Sequence, residues 1–219
     1  MKKRIAIAAI AVAAWPVAAN ADHRPGHGGG GGSGNLTLGA QPKTVVFGRT
    51  VALSGKLTGA NNSGRQVTLR SDPFPFDSFD NAGNATTNAQ GDYTFSQKPT
   101  LNTRYQTRSG NEESAIVTVL VRPTVGLRLS DPTPRRGQRV RFSGRVCPEH
   151  DGSRVAIQRR TRAGFRTVAR ATLQDIPGST CSRYRRGLRV FRDGTYRAVI
   201  RAHADHATGI SPRRRANTP

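Results

Sequence analysis

The sequence predicts an all-β chain: two antiparallel β-sandwiches in tandem, behind a signal peptide and a glycine-rich linker. Three observations carry this. Valine, threonine and glycine are plentiful and alternate often, which favours strands over helices. No window beyond the first 21 residues sustains a helical period. Short apolar runs bounded by turn residues recur in two blocks of about 90 residues each, the size of one antiparallel sandwich.

The chain opens Met1-Lys2-Lys3-Arg4, then runs apolar from Ile5 to Ala14, and reaches Ala19-Asn20-Ala21. A basic head, a short apolar stretch and small residues at an Ala-x-Ala site make a secretory signal peptide over 1–21, cleaved after Ala21. The apolar run is shorter than the ~20 residues of a membrane span, and no second stretch of that length follows. The sequence therefore predicts an extracellular, released chain that is free to associate with the cell envelope. Residues 22–35 include a glycine tract from Gly28 to Gly32 and are expected to form a flexible linker.

An internal repeat fills the rest. Val51-Ala52-Leu53-Ser54-Gly55-Lys56-Leu57 matches Val140-Arg141-Phe142-Ser143-Gly144-Arg145-Val146. Gly64-Arg65-Gln66-Val67-Thr68-Leu69 matches Gly152-Ser153-Arg154-Val155-Ala156-Ile157, and Asn102-Thr103-Arg104-Tyr105 resembles Asp193-Gly194-Thr195-Tyr196. Matches in the same order at a near-constant offset mean duplication of one unit. The first unit is set at 36–122, with strands expected near 36–39, 44–47, 50–57, 65–70, 92–96, 103–108 and 114–121. The second is set at 123–219, with strands near 125–130, 138–146, 153–160, 165–174, 183–191, 195–202 and 208–213. Val121-Arg122-Pro123 makes a short, stiff junction.

Two cysteines, Cys147 and Cys181, fall in the second unit. An oxidising compartment makes a disulfide the default, with two buried free thiols the alternative. Charge is unequally shared. The chain carries +22 overall; residues 36–122 carry +3, whereas 123–219 hold twenty-two arginines, no lysine and six acids.

The residues Thr87-Asn88-Ala89-Gln90-Gly91-Asp92-Tyr93-Thr94-Phe95 resemble the Thr-Asp-x-x-Gly-x-Tyr-x-Phe signature of carboxypeptidase-regulatory-like domains, with Asn88 in place of the usual aspartate. Asp193-Gly194-Thr195-Tyr196 resembles the tyrosine-corner approach of immunoglobulin-like folds. Across 36–215 the pattern is similar to secreted actinobacterial proteins with tandem immunoglobulin-like domains. The resemblance implies Greek-key immunoglobulin-like sandwiches, and spacer, stalk or binding roles rather than an activity. It implies a hydroxyl of Tyr196 bonded to backbone. It also implies that Cys147, ending the second strand, meets Cys181, just before the fifth, because those strands are antiparallel neighbours in such folds.

No catalytic constellation emerges, so the chain is not expected to be an enzyme, and no cofactor is implied. A serine nucleophile needs a histidine and a carboxylate around it; His23 and His27 lie in the linker. His203-Ala204-Asp205-His206 holds ligand-type residues on one loop without a third or fourth partner, so no metal site is assigned. Asp72-Pro73-Phe74-Pro75-Phe76-Asp77-Ser78-Phe79-Asp80 has two readings. Phe76 and Phe79 fold back to cap the core, which is the favoured one, or the segment is an exposed contact loop whose acids hold calcium.

The arginines are the functional lead. Val140, Phe142 and Val146 alternate with Arg139, Arg141 and Arg145, and Leu188 and Val190 with Arg185 and Arg189. If the two strands are neighbours, these arginines and Arg128 share one face. Such a face suits phosphate, sulfate or carboxylate groups through bidentate pairing. A high-GC genome and the need for soluble strand edges produce the same composition, and both explanations stand. Aromatics do not interleave with the basic positions, which disfavours nucleic acid as the partner. The functional expectation is a non-catalytic secreted or envelope-associated protein with structural or adhesion modules, with another surface protein as a possible partner. The alternative is a binding module for anionic envelope polymers.

Overall fold

The computed structural model describes residues 36–219, all in strands, turns and irregular backbone without a helix. The expected signal peptide at 1–21 and linker at 22–35 lie outside the described residues. No helix of the described residues is long and apolar enough to cross a membrane.

Residues up to 122 carry β1 (Gly39–Gln41), β2 (Thr44–Val46), β3 (Val51–Lys56), β4 (Gln66–Pro73), β5 (Asp80–Thr86), β6 (Asp92–Gln97), β7 (Thr103–Ser109), β8 (Glu112–Glu113) and β9 (Val117–Arg122). They form a sheet β1-β3-β6 and a sheet β2-β9-β7-β4-β5, with β8 beside β7. All pairings are antiparallel except β2 with β9. From residue 124 onward come β10 (Thr124–Val125), β11 (Arg128–Leu129), β12 (Gln138–Cys147), β13 (Arg154–Thr161), β14 (Gly164–Thr172), β15 (Ser182–Val190), β16 (Gly194–Ile200), β17 (Gly209–Ile210) and β18 (Arg214–Ala216). Here β12 lies between β15 and the pair β10 and β11, and a second sheet runs β14-β13-β16 with β17 and β18 along its far edge. The chain is all-β, with multiple sheets consistent with β-sandwich packing.

Alternation decides what each strand buries. On β12, Val140, Phe142 and Val146 are fully buried while Arg139, Arg141 and Arg145 are exposed. Facing them from β13 and β16 are Val155, Ile157 and Ile200, all fully buried. Before the junction, Val51, Leu53, Leu69, Val119 and Val121 fill the equivalent space. Among the described residues, no apolar cluster of buried residues mixes positions from the two sides of Pro123.

The same glycine–tyrosine pairing occurs on both sides of Pro123. Gly55 on β3 pairs with Tyr93 on β6, and Gly144 on β12 pairs with Tyr184 on β15. The Tyr93 hydroxyl donates to the carbonyl of Thr37 and shares a 2.8 Å hydrogen bond with Thr107 Oγ1. The Tyr184 hydroxyl donates to the Gly126 carbonyl at 2.6 Å. Each ring crosses its glycine to reach backbone outside the strands, just before β1 for Tyr93 and between β10 and β11 for Tyr184, and a Cβ at either glycine would overlap both the ring and the accepting backbone. The Tyr196 hydroxyl, the one expected to tie back to backbone, makes no hydrogen bond among the described residues. Its ring packs edge-on against Phe142 at 4.9 Å between centroids.

Two other features depart from the sequence expectations. The expected strands do not include 80–86, yet Asp80–Thr86 is an edge strand paired with β4, largely exposed, with a register shift at Leu69/Arg70. An edge strand that buries little needs no apolar alternation. Phe76 and Phe79 do not cap the core. The Arg104 guanidinium lies 4.2 Å over the Phe76 ring and that of Arg70 lies 5.3 Å over Phe79. Half-burial beneath a cation satisfies these rings at the surface.

A single residue, Pro123, separates β9 from β10. The loop at 201–208 brackets this junction. The Asn102 backbone N–H donates to the Asp205 carbonyl at 2.8 Å, and its side-chain amide donates to Ala204 at 3.0 Å. Asn102 Oδ1 accepts from the Val121 N–H at 2.8 Å, and Ala207 N–H donates to the Val121 carbonyl at 2.8 Å. Cys147 and Cys181 form a disulfide with their Cα atoms 4.4 Å apart, joining the end of β12 to the approach to β15.

Candidate functional site

β12 and β15 pair over nine positions, and the register places Arg139 opposite Arg189, Arg141 opposite Gly187, Ser143 opposite Arg185 and Arg145 opposite Arg183. Arg128, on β11, lies opposite Ser143 from the other side. Odd-numbered side chains of β12 and β15 therefore share the outer face. Ser143 and Gly187 leave room between the long arginines, and the Arg139 guanidinium lies over Gly187 where a Cβ would collide with it.

Four of the six arginines expected from the sequence, Arg128, Arg141, Arg145 and Arg185, line one cleft of about 850 Å³ together with Arg183 and Arg214. Arg139 borders an adjoining depression with Arg141 and Arg185. Arg189 lies beyond it, beside Arg136 and Arg192, and its guanidinium donates to the Gly137 carbonyl at 3.2 Å. From Arg139 to Arg145 the row runs about 20 Å along the strand; Arg139 and Arg141 are about 7 Å apart, and Ser143 interrupts the row before Arg145, where Arg185 and Arg128 flank it from the neighbouring strands.

Arg183 follows the same alternation as Arg185, so the signal for it was present in the sequence. Arg214 had no such signal. It enters from β18, and its Nε–H donates to the Leu127 carbonyl at 3.1 Å, which aims the guanidinium along the cleft wall.

Among the described residues, none of the six cleft arginines forms an ion pair with a carboxylate; the pairs found are Lys56–Asp92, Arg70–Glu113, Arg104–Asp72, His206–Asp205 and Arg215–Asp193. Like charges facing each other across a strand pair, as Arg145 and Arg183 do, cost stability. In water the repulsion stays near 1 kcal/mol at 4 Å, so the fold tolerates it. An anion in the cleft relieves the repulsion and supplies acceptors for the guanidinium forks. Tyr184 forms part of the lining, and burial pushes its phenol well above the usual range. It stays protonated and keeps its hydrogen bond to Gly126, so the cleft floor is neutral.

Asp72, Asp77 and Asp80 are not gathered for calcium. Among the described residues, groups of three ligand-type side chains within reach of a common ion are His150, Asp205 and His206, and the exposed Glu149, Asp151 and Asp175.

Comparison with known proteins adds little. No family model matches the chain, and no curated protein matches it. Among solved structures it is similar to a tetra-tandem repeat from the extending region of a large adhesion protein, at 16% identity and a TM-score of 0.34. That match covers 85% of this chain, and the chain spans 50% of the length of that structure.

Proposed function

We propose that the chain is an exported, non-catalytic protein of two tandem immunoglobulin-like sandwiches, at 36–122 and 123–219, whose second sandwich binds anionic polymers of the cell envelope. The observation that carries this is the cleft of about 850 Å³ lined by six arginines without carboxylate partners among the described residues. Salt bridges would be the cheapest way to quiet such a surface, yet the acids of this half lie elsewhere. Guanidiniums contributed by adjacent strands along one face suit a polymer carrying repeated phosphate, sulfate or carboxylate groups. The buried position of the cleft's one aromatic side chain, Tyr184, removes the stacking platform that single-stranded nucleic acid uses. The disulfide supports an oxidising location.

The first half carries little net charge and is assigned a structural role, presenting the second at a short, bracketed junction. Retention on a matrix of isolated anionic wall polymer tests the reading. The wild-type chain is expected to elute only at elevated salt, and the double variant Arg141→Glu, Arg185→Glu at low salt. Equal elution of both leaves the chain with structural or adhesion modules alone.

A further inference from the structure

The loop after the disulfide and the loop that brackets the junction bring three ligand-type side chains together. One ring nitrogen each of His150 and His206 and a carboxylate oxygen of Asp205 lie within 4.8 Å of one another. The two imidazoles meet edge to face at 4.9 Å between centroids. We propose that His150, Asp205 and His206 bind a borderline divalent transition-metal ion, Zn²⁺ foremost, at the junction between the two halves of the chain.

The hydrogen bonds assign the ring nitrogens. His150 Nδ1 lies 2.8 Å from the Pro148 carbonyl, and His206 Nε2 lies 2.9 Å from the Thr100 carbonyl. A carbonyl only accepts, so these two nitrogens carry the protons. The lone pairs are then on His150 Nε2 and His206 Nδ1. A second-shell carbonyl that fixes the tautomer and leaves the other nitrogen free is the arrangement of a metal-ligating histidine.

Both free nitrogens lack a partner that uses the lone pair. His150 is 8% exposed and His206 2% exposed, and neither His150 Nε2 nor His206 Nδ1 has a hydrogen-bond partner although both atoms are buried. A buried polar atom without a partner is costly to the fold. His206 Nδ1 lies 2.9 Å from Asp205 Oδ2, a contact that is an ion pair when the ring carries both protons and leaves the lone pair free when it is neutral. With its proton on Nε2, the ring points a lone pair at a carboxylate, and a cation between them turns that repulsion into two bonds.

The scaffold is built before any ion arrives. The His150 N–H donates to Ser182 Oγ at 2.7 Å, and that hydroxyl donates to Asp151 Oδ1 at 2.6 Å, next to the disulfide on both strands. The loop of Asp205 and His206 is bonded to Thr100 and Asn102. Four-coordinate Zn²⁺ with nitrogen and oxygen ligands at about 2.0–2.2 Å needs them about 3.3 Å apart; His206 Nδ1 and Asp205 Oδ2 already lie at 2.9 Å, and any wider separation, none above 4.8 Å, contracts on binding. Two imidazoles and one carboxylate select Zn²⁺, Co²⁺, Ni²⁺ or Cu²⁺ over Ca²⁺ and Mg²⁺, which take oxygen ligands. A water or the exposed His203, whose ring centroid is 6.0 Å from that of His150, completes the shell.

The test uses the full chain after chelator treatment, titrated with Zn²⁺ against a chromophoric competitor. The expected result is one ion per chain and at least tenfold weaker binding in His150→Gln and in Asp205→Asn, with far-UV circular dichroism unchanged. Binding undiminished in both variants, or no binding, overturns the proposal. Histidine nitrogen shifts provide a readout that needs no variant. Zn²⁺ is expected to move His150 Nε2 and His206 Nδ1; movement confined to His23 and His27 overturns the site.

Discussion

Gly144→Ala is the sharpest probe of how this fold is held. The new Cβ would overlap the Gly126 carbonyl and lie 2.8 Å from a ring carbon of Tyr184. The carbonyl cannot simply swing aside, because the Gly126 N–H is bonded to the Arg145 carbonyl at 2.8 Å. Either the segment between β10 and β11 lifts away from β12 or Tyr184 leaves its slot. Lifting forfeits the Tyr184–Gly126 and Gly126–Arg145 hydrogen bonds, at about 1 kcal/mol each. Overpacking adds about 1–3 kcal/mol. Relief of glycine's unfolded-state entropy returns about 0.5–1 kcal/mol. The net loss is about 3 kcal/mol. Tyr184→Phe, which removes only the hydroxyl, should lose about 1 kcal/mol. Equilibrium urea unfolding followed by circular dichroism measures both. With a slope near 2 kcal/mol/M, the Gly144→Ala midpoint falls by about 1.5 M. Gly39→Ala is the control, since a Cβ there meets only the Ser54 carbonyl at an ordinary 3.6 Å. A Gly144→Ala midpoint no lower than that of Gly39→Ala would refute the clamp.

Three further outcomes follow from the same structure. Reducing the Cys147–Cys181 bond, which spans 34 residues, should lower stability by about 4 kcal/mol from loop entropy, measured as the difference between urea curves with and without reductant. Asn102→Ala should cost about 1–3 kcal/mol, because the buried Val121 N–H loses its acceptor; calorimetry reads this as a lower melting temperature. Burial, foremost, raises Tyr93, Tyr105, Tyr184 and Tyr196 above 10.0, Tyr105 to about 12. The folded chain then holds more protons than the unfolded chain above pH 10. Stability contributed by Tyr105 is therefore full below pH 10 and falls by about 1.4 kcal/mol per pH unit until pH 12. Absorbance titration should show phenolate appearing late and together with unfolding; a normal titration near pH 10 in the folded chain contradicts the burial.

What was legible in the sequence was whatever repeats with period two. Val140, Phe142 and Val146 against Arg139, Arg141 and Arg145 identified both the buried and the basic face of β12, because each position obeys the pleat. β5 was missed because Asp80–Thr86 is an edge strand whose partner and bulge, not its side chains, hold it. The tyrosine clamp was half visible. Ser54-Gly55 and Ser143-Gly144 marked the repeat, but the rings that need those glycines lie on β6 and β15, at Tyr93 and Tyr184. The backbone tie was sought at Tyr196 instead. The cleft was found by alternation except where tertiary structure delivers a residue, as with Arg214 from β18. His150 escaped for the same reason. The loop at 203–206 looked like an incomplete ligand set, and its third member arrives from 55 residues away, positioned by the disulfide and Ser182.

The central claim is that arginines at one place, rather than basic composition in general, bind an anionic polymer. Affinity for one defined polyanion across ionic strength tests it most directly. If all six cleft arginines engage, raising salt from 50 to 200 mM should weaken binding about 300-fold. Reversing Arg141 and Arg185 to glutamate should leave weaker binding and a drop of about 50-fold. Reversing Arg166 and Arg170, exposed on β14 in the other sheet, changes net charge equally and should leave the salt dependence of the wild type. Equal losses from the two double variants would contradict the account and assign the binding to net charge alone.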